Sequence, residues 1–453
     1  MYAAHYWLYQ NSSDEELCKN AVNKFMPQMN INGELIINQS DISEIIKFIF
    51  DELHRVDYNG IYAVNYIYYN DLIGGQNRYE DSLNEFQQRL TPYIINTILS
   101  EFRKLNKIIH NLTISEYSNN IYTEELMINQ IPYLEDVKIN CNTTFNKSLH
   151  NTNIINLELQ CNKVHLPVIP GLISLIINAD TVTGLSNNLS LERLTLINIK
   201  NINLCDLEKC TKLKELIINN VSIDVFPKLN KLHKLRKLVI NNTDLKTLSD
   251  QDNINACISY LDLANNKLTN IDAVKFKQNL KYLDIRNNNI KEIPHYIGKN
   301  IVTMKANAPT NTIPDTLIMC ESLRELELTN CNTCGGIQIS FTNRNYSMLA
   351  SGINVTLEKL NLDNSLSDTL TFPVNKFHGL IELDLSNSKN IDKYLDFNKF
   401  PKLEILKLNY SSIKRIPPGL SMKLSLKELH VKGEKNITGV IDMINKGKSV
   451  YKF

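Results

Sequence analysis

The chain has 453 residues, of which 43% are hydrophobic and 21% charged, and its formal net charge is +1. This length exceeds what one compact core holds, and the composition is ordinary for a soluble protein built of more than one part. The nearly balanced charge argues against a dedicated nucleic-acid binder, which normally carries a strong basic excess.

Residues 1–108 carry no recognisable repeat, and we predict that they form a mostly helical domain. An acidic helix start at Asp41–Glu44 precedes apolar residues at helical spacing, namely Ile42, Ile45, Ile46, Ile49 and Leu53. A second stripe follows Thr91-Pro92 and comprises Ile94, Ile95, Ile98, Leu99, Phe102 and Leu105. Two roles are open for this domain: a cap over the apolar end of the array that follows, or a docking module that recruits other machinery.

From residue 109 to 437 the chain repeats one short phrase, which is clearest at Ile258–Leu268 and Leu280–Ile290. Both copies fit L-x-x-L-x-L-x-x-N-x-L. The copies begin at Ile154, Leu172, Leu191, Leu213, Leu235, Ile258, Leu280, Ile301, Leu323, Leu357, Leu380, Leu403 and Leu426. Nine of the twelve steps between these residues are 21 to 23 residues long, a regularity that chance does not produce. The longest step, 34 residues, predicts an inserted loop near 335–354, and residues 438–453 are predicted to form a terminal cap or tail.

The phrase has a simple physical interpretation. The two leucines of L-x-L point to one face of a short strand, and successive copies stack their strands in parallel. An asparagine in the later slot both donates and accepts, so it suits a ladder that bonds buried loop backbone. The candidates for this structural ladder are Asn142, Asn162, Asn266 and Asn288. Proline pairs such as Ile293-Pro294 predict short 3₁₀ or extended segments on the return limb.

This phrase and its spacing resemble the leucine-rich repeat family, in its intracellular form with repeats of about 22–23 residues. The resemblance implies an α/β solenoid, with a curved parallel β-sheet on the concave face and short 3₁₀ or extended convex segments, preceded here by the helical N-terminal domain. Heavy use of Asn, Ile, Lys and Tyr is typical of AT-rich genomes. Large DNA viruses, insect poxviruses among them, encode similar repeat proteins.

The best candidate site is the exposed column formed by the residue between the two leucines of L-x-L. This column changes from apolar at Ile217 and Val239 to charged further along, and we select as partner-binding residues Ile217, Val239, Asp262, Asp284, Arg286, Lys305, Glu327, Asp363 and Asp384. An apolar patch beside charged residues is what a protein interface tends to need. The alternative is that the acidic residues only keep the sheet face soluble.

Catalytic, cofactor and metal motifs were not found in the sequence. Cys331-Asn-Thr-Cys334 has a metal or redox spacing, but Cys331 occupies the asparagine slot of its own repeat, where a small packed side chain is expected. The nine cysteines are odd in number and scattered, so they do not indicate a disulfide framework. With no leader peptide or membrane span recognisable, the sequence predicts a cytoplasmic protein.

Two functions remain open. The first is a non-catalytic scaffold that binds a protein partner through the concave face, without cofactors, nucleic acid, membrane or small-molecule substrate. The second is a substrate receptor of the ubiquitin-ligase type, in which the N-terminal domain recruits an enzyme and the repeats choose the substrate. No F-box signature supports the second.

Overall fold

The computed structural model describes a large part of the chain. The described residues are 12–27, 33–55, 94–104, 108–117, 128, 131–141, 144–145, 153–224, 226–248, 257–272, 279–290, 293, 300–307, 312–314, 320, 322–329, 338–340, 356–364, 374, 377–388, 391, 395–416, 418–433 and 438–451. They divide into two compact units, Met1–Leu213 (unit 1) and Lys214–Phe453 (unit 2).

Unit 1 combines helices with two parallel sheets. In chain order its elements are α1 (Ser12–Lys24), β1 (Glu34–Asn38), α2 (Gln39–Arg55), β2 (Asn111–Tyr117), β3 (Asp136–Cys141), β4 (Thr144–Phe145), β5 (Asn156–Gln160), β6 (Lys163–His165), β7 (Ser174–Asn178), β8 (Thr181–Thr183), β9 (Arg193–Ile197) and β10 (Asn201–Ile202). The first sheet has the order β1-β2-β3-β5-β7-β9, and the second has the order β4-β6-β8-β10. From β3 onward, each coil of unit 1 therefore gives one strand to each sheet.

The N-terminal residues contain the expected helical stripe and also a strand. Ile42, Ile45, Ile46 and Ile49 of α2 are buried, as a stripe at helical spacing requires. Residues 94–104 are helical too, whereas Thr91-Pro92 lies outside the described residues. Strand β1 pairs in parallel with β2, so the sheet extends N-terminal to the domain boundary predicted at residue 108. The domain assignment stays a prediction.

Unit 2 is a longer stack of the same kind. Its elements are β11 (Glu215–Asn219), β12 (Lys237–Asn241), β13 (Tyr260–Asp262), β14 (Tyr282–Asp284), β15 (Thr303–Ala306), β16 (Thr312–Pro314), β17 (Glu325–Leu328), β18 (Gln338–Ser340), β19 (Lys359–Asn361), β20 (Glu382–Asp384), β21 (Ile405–Lys407), α3 (Pro418–Ser421), β22 (Glu428–His430), α4 (Val440–Asn445) and β23 (Ser449–Tyr451). Except for β16 and β18, which pair with each other, these strands form one parallel ladder in chain order.

The core consists of the repeated leucines. Leu261 and Leu263 of one coil and Leu283 and Ile285 of the next are each at most 2% exposed. The return limbs include 3₁₀ segments at Leu185–Asn187, Leu204–Lys209 and Phe397–Lys399, and the short strands of the second sheet in unit 1. The architecture is the parallel-sheet solenoid of stacked coils that the repeat spacing predicts.

Several sequence predictions fall outside the described residues. These are Asn142, the Cys331-Asn-Thr-Cys334 segment, and most of the inserted loop near 335–354. Within that loop only β18 is described, and it lies parallel to β16.

Candidate functional site

The exposed side of the strands in unit 2, which we call the strand face, presents two columns of side chains. The first column begins with Glu215, Lys237, Tyr260, Tyr282, Thr303 and Glu325, which are register partners in successive strands. The second is the predicted candidate column, and it begins with Ile217, Val239, Asp262, Asp284, Lys305 and Glu327. Neighbouring strands lie about 4.8 Å apart, so each column is a continuous row of contacts.

One end of the strand face is apolar and aromatic. Ile217 is half-buried and Val239 is 9% exposed. In the neighbouring column the rings of Tyr260 and Tyr282 are stacked, with centroids 4.0 Å apart and planes 3° from parallel. Lys237 Nζ lies 5.5 Å from the centre of the Tyr260 ring and 2.6 Å from Glu215 Oε1. This end therefore offers a largely pre-ordered aromatic surface next to a small apolar patch.

The acidic residues of the second column also have a structural role that the sequence interpretation omits. Asp262 Oδ1 accepts from Ala264 N at 3.1 Å, and the same bond to the backbone two residues on recurs in three other coils. The repeats of this bond are Asp284 to Arg286 N at 3.1 Å, Asn361 to Asp363 N at 2.9 Å and Asp384 to Ser386 N at 3.0 Å. Such bonds let Asp and Asn turn the backbone out of the strand. Asn361 forms one of them, so the turn itself does not require a negative charge.

An ion-pair network occupies the middle of the strand face. Arg286 contacts Asp284 through two nitrogens, with Nε 3.0 Å from Oδ1 and Nη2 2.6 Å from Oδ2, and its Nη1 lies 2.7 Å from Glu327 Oε1. Lys305 Nζ lies 3.2 Å from Glu325 and 3.4 Å from Glu327. The hydrogen bonds to Asp284 raise the pKa of Arg286, so the guanidinium stays charged. Burial lowers the pKa of Lys305, but the two glutamates more than offset this and the pKa is raised.

Asp262 differs from Asp284 because, among the described residues, no cation lies within ion-pair distance of it. Its carboxylate accepts from Ala264 N and, through Oδ2, from Asn241 Nδ2 at 3.2 Å. Burial is the main cause of its raised pKa, the nearby Asp284 adds to the rise, and the hydrogen bonds and Arg286 oppose it. The amide oxygen of Asn241 is buried and has no hydrogen-bond partner in the described part of the chain. The charge on Asp262 is therefore a cost to the isolated protein.

We expect Asp262→Asn to raise the free energy of unfolding at neutral pH by up to about 1 kcal/mol, since the side chain is only half-buried. Asn keeps the bond to Ala264 N, and rotation of the Asn241 amide lets the Asn241 oxygen accept from the new side-chain NH₂ in place of the present bond from Asn241 Nδ2. Because the folded-state pKa of Asp262 is raised, its penalty exists only while it is ionised. The gain should shrink as pH falls through that pKa and vanish below the ordinary value of 3.8. Urea unfolding of both proteins at several pH values measures this, and a variant less stable at neutral pH would contradict it.

The other predicted residues lie further along the same face. Asp384 is half-buried and its pKa is raised by burial, while Lys407 in the next strand lies 2.6 Å from Glu382. Asp363, just beyond β19, accepts from Asn387 Nδ2 at 2.8 Å. The structure thus brings Ile217, Val239, Asp262, Asp284, Arg286, Lys305 and Glu327 together over successive strands, with Asp363 and Asp384 beyond them.

The predicted asparagine ladder is present in the central coils. Asn266 and Asn288 each donate to three backbone carbonyls of their own and the preceding coil, at 2.7 to 3.3 Å. The Asn288 side chain also accepts from Leu268 N at 3.0 Å. Asn162 occupies the same slot of an earlier copy, but it is exposed.

A second row of asparagines, which the sequence interpretation misses, precedes the buried slot by one residue. Asn198, Asn220, Asn242, Asn265, Asn287, Asn364 and Asn387 all have φ between 51° and 57°. Asparagine tolerates this left-handed conformation better than most residues. Their side chains bond to neighbouring coils, for example Asn287 Nδ2 to Asn265 Oδ1 at 2.6 Å and Asn242 Nδ2 to Asn219 Oδ1 at 2.7 Å. The signal that identifies them is a recurring Asn one position before the slot.

Groups able to hold a metal are not apparent where the structure is described: no three His, Cys, Asp or Glu side chains converge there. No helix among those residues is long and apolar enough to cross a bilayer.

Comparison with known proteins supports the class of fold. The sequence profile described as "Leucine rich repeat" matches residues 258–297. A search of curated proteins found no match to this sequence.

Solved structures with the same fold include three repeat proteins, each 18% identical to this chain. The functional domain of InlJ from Listeria monocytogenes aligns with a TM-score of 0.51, over 75% of this chain and 69% of that one. The LRR protein LIC12759 from Leptospira interrogans gives 0.52, over 78% and 87%. TLR13, solved in complex with ssRNA13, gives 0.57, over 79% of this chain and 54% of its own length. The fold is thus a leucine-rich repeat solenoid.

Proposed function

We propose that the protein is a non-catalytic scaffold that binds a protein partner through the strand face of unit 2, the surface that the family resemblance puts on the concave side. The observation that carries this proposal is the continuous row from Ile217 and Val239 to Asp262, beside the stacked Tyr260 and Tyr282. Interfaces combine an apolar, aromatic centre with a polar margin, and this face has both in adjacent strands.

The charged residues support recognition of a partner more than simple solubility. A solubilising face needs exposed charge, but Asp284 is 2% exposed and Glu327 13% exposed in an ordered network. Fixed charges of this kind favour one complementary arrangement and disfavour others. Nucleic acid, membrane and small-molecule ligands have no comparable support in the described residues.

The helices of unit 1 fit a cap better than a docking module. The apolar stripe of α2 at Ile42, Ile45, Ile46 and Ile49 is buried, and α2 contacts β1 and β2. A helix that covers the sheet in this way shields apolar surface from water. The receptor hypothesis, in which this region recruits an enzyme, has no separate observation in its favour.

We also propose a cytoplasmic location. The sulfurs of Cys141 and Cys161 lie 3.3 Å apart in a hydrogen-bond contact between thiols, and a reducing compartment keeps such a pair reduced.

Capture of partners from cell lysate tests the proposed function. The face variant carries Ile217→Ser, Asp262→Asn and Asp384→Asn, because Asn preserves the backbone bonds of both aspartates. The control variant carries Ile176→Ser, Asp180→Asn and Asp244→Asn. Ile176 holds the matching column position in unit 1, and the two aspartates lie beyond the strands and are exposed. A protein retained by the wild type and the control but lost from the face variant is the expected result. The same captured proteins with all three would refute it.

A further inference from the structure

We infer that the partner recognised at the strand face presents an arginine or lysine beside an apolar side chain, and that Asp262 receives the cation. This inference rests on the proposed function and specifies the chemistry of the partner. The proposed binding site on the strand face consists of Ile217, Val239, the Tyr260–Tyr282 pair and Asp262.

Charge complementarity provides the first argument. From β13 to β17 the strand face holds four carboxylates, Asp262, Asp284, Glu325 and Glu327, but its ion-pair network contains only two cations, Arg286 and Lys305. Both cations are already bound to carboxylates of the network. Lys237 is engaged by Glu215. Two negative charges remain, one shared within the network and one at Asp262, so an approaching basic side chain finds a carboxylate without a cation in contact at Asp262.

The surroundings of Asp262 suit the stem and head of a long basic side chain. The stacked rings of Tyr260 and Tyr282 lie in the adjacent column, and Lys237 already lies over the Tyr260 ring, which shows that a cation is accommodated there. Arginine combines a carboxylate contact with stacking on an aromatic face. Ile217 lies two strands from Asp262, about 10 Å away, a span that about three residues of extended chain cover.

The cost of the charge is the second argument. Asn361 makes the same backbone bond as Asp262, so the fold does not need a carboxylate at this position. The ionised Asp262 is half-buried beside an orphaned amide oxygen and without a cation in contact. A charge that destabilises the free protein and that the fold does not require is typical of a binding site, because the partner supplies the missing contact.

The test is a selection of random twelve-residue peptides, displayed on phage, on the full-length wild-type protein. We expect the enriched peptides to contain an arginine or lysine about three positions from an apolar residue. Synthetic versions should bind Asp262→Asn at least tenfold more weakly. Asp396→Asn is the matched control, because Asp396 makes the same bond to the backbone N–H two residues on, from Asn398 N at 3.1 Å, but lies on a return limb and not on the strand face. This variant should bind as the wild type does.

The outcomes separate the two proposals. Peptides that lose binding to Ile217→Ser but lack an excess of basic residues, or that bind Asp262→Asn and Asp396→Asn equally well, would overturn the basic partner and leave the strand face as the binding surface. A selection that yields no peptides, or only peptides insensitive to Ile217→Ser as well, would overturn both.

Discussion

Asn266→Ala should lower the free energy of unfolding by about 3 kcal/mol, because it leaves several buried backbone groups without partners. The Asn266 amide nitrogen donates to the carbonyl oxygens of Ile240, Leu263 and Ala264 at 2.7, 2.8 and 3.3 Å. Its oxygen accepts from Thr243 N at 3.0 Å and from Thr243 Oγ1 at 2.6 Å. Water cannot replace these bonds readily, since Asn266 and Thr243 are each 7% exposed. Urea unfolding followed by circular dichroism measures the change.

Asn162→Ala is the control for that experiment. Asn162 has the same place in the repeated phrase, but it is exposed, so water takes over the contacts of its side chain. We expect its loss to cost well under about 1 kcal/mol. Equal losses for the two variants would mean that the slot stabilises the coil by its local backbone preference and not by the buried ladder.

The contrast between these two asparagines shows how much of the fold can be predicted from the sequence. The repeat spacing is enough to predict the strand register, because L-x-L fixes which side chains share a face, and Asp262 and Asp284 are indeed register partners. Whether the asparagine slot is buried depends on how tightly successive coils turn. The phrase at Asn162 begins only 18 residues before the next copy, and a strand, β6, directly follows Asn162, whereas the described residues after Asn266 and Asn288 form no strand.

Strand β1 shows a limit of a different kind. Glu34–Asn38 has the same five residues as β11, Glu215–Asn219, so the signal for a solenoid strand is present in the sequence. It is hidden because helix α2 begins at the next residue, Gln39, and no second copy follows at the usual step. Periodicity identifies a solenoid strand only when further copies of the phrase follow it in the sequence at the usual spacing.

The ion-pair network could not be predicted from spacing alone. Arg286 and Glu327 are 41 residues apart, and their contact requires the guanidinium to reach across the intervening strand β15. The sequence does suggest that Arg286 shares a surface with the acidic column, but not that it neutralises Asp284. Consequently the acidic column looks uniform in sequence, whereas in the structure Asp284 is paired and Asp262 has no cation in contact.

That difference predicts opposite effects of one substitution in adjacent coils. Asp284→Asn should lower the free energy of unfolding by about 2 kcal/mol, because a partly buried guanidinium loses its two-nitrogen contact with a charged partner. This loss is smaller than that expected for a fully buried ion pair, since the Arg286 side chain is 34% exposed and retains its ion pair with Glu327. Asn retains the acceptor for Arg286 N, as Asn361 does for Asp363 N, so the strand-end turn is preserved and the change isolates the charge.

Asp262→Asn, for which we expect a gain, is the internal control, because it makes the identical chemical change one strand away in the same column. Measured side by side in urea, the two variants should move the unfolding midpoint in opposite directions with unchanged m-values. If both variants stabilise the protein, desolvation of the Asp284–Arg286 pair exceeds its attraction, and the network is maintained at the expense of stability, as Asp262 is. If both destabilise it, the negative charge stabilises the free protein at both positions, and the charge at Asp262 no longer indicates a basic partner.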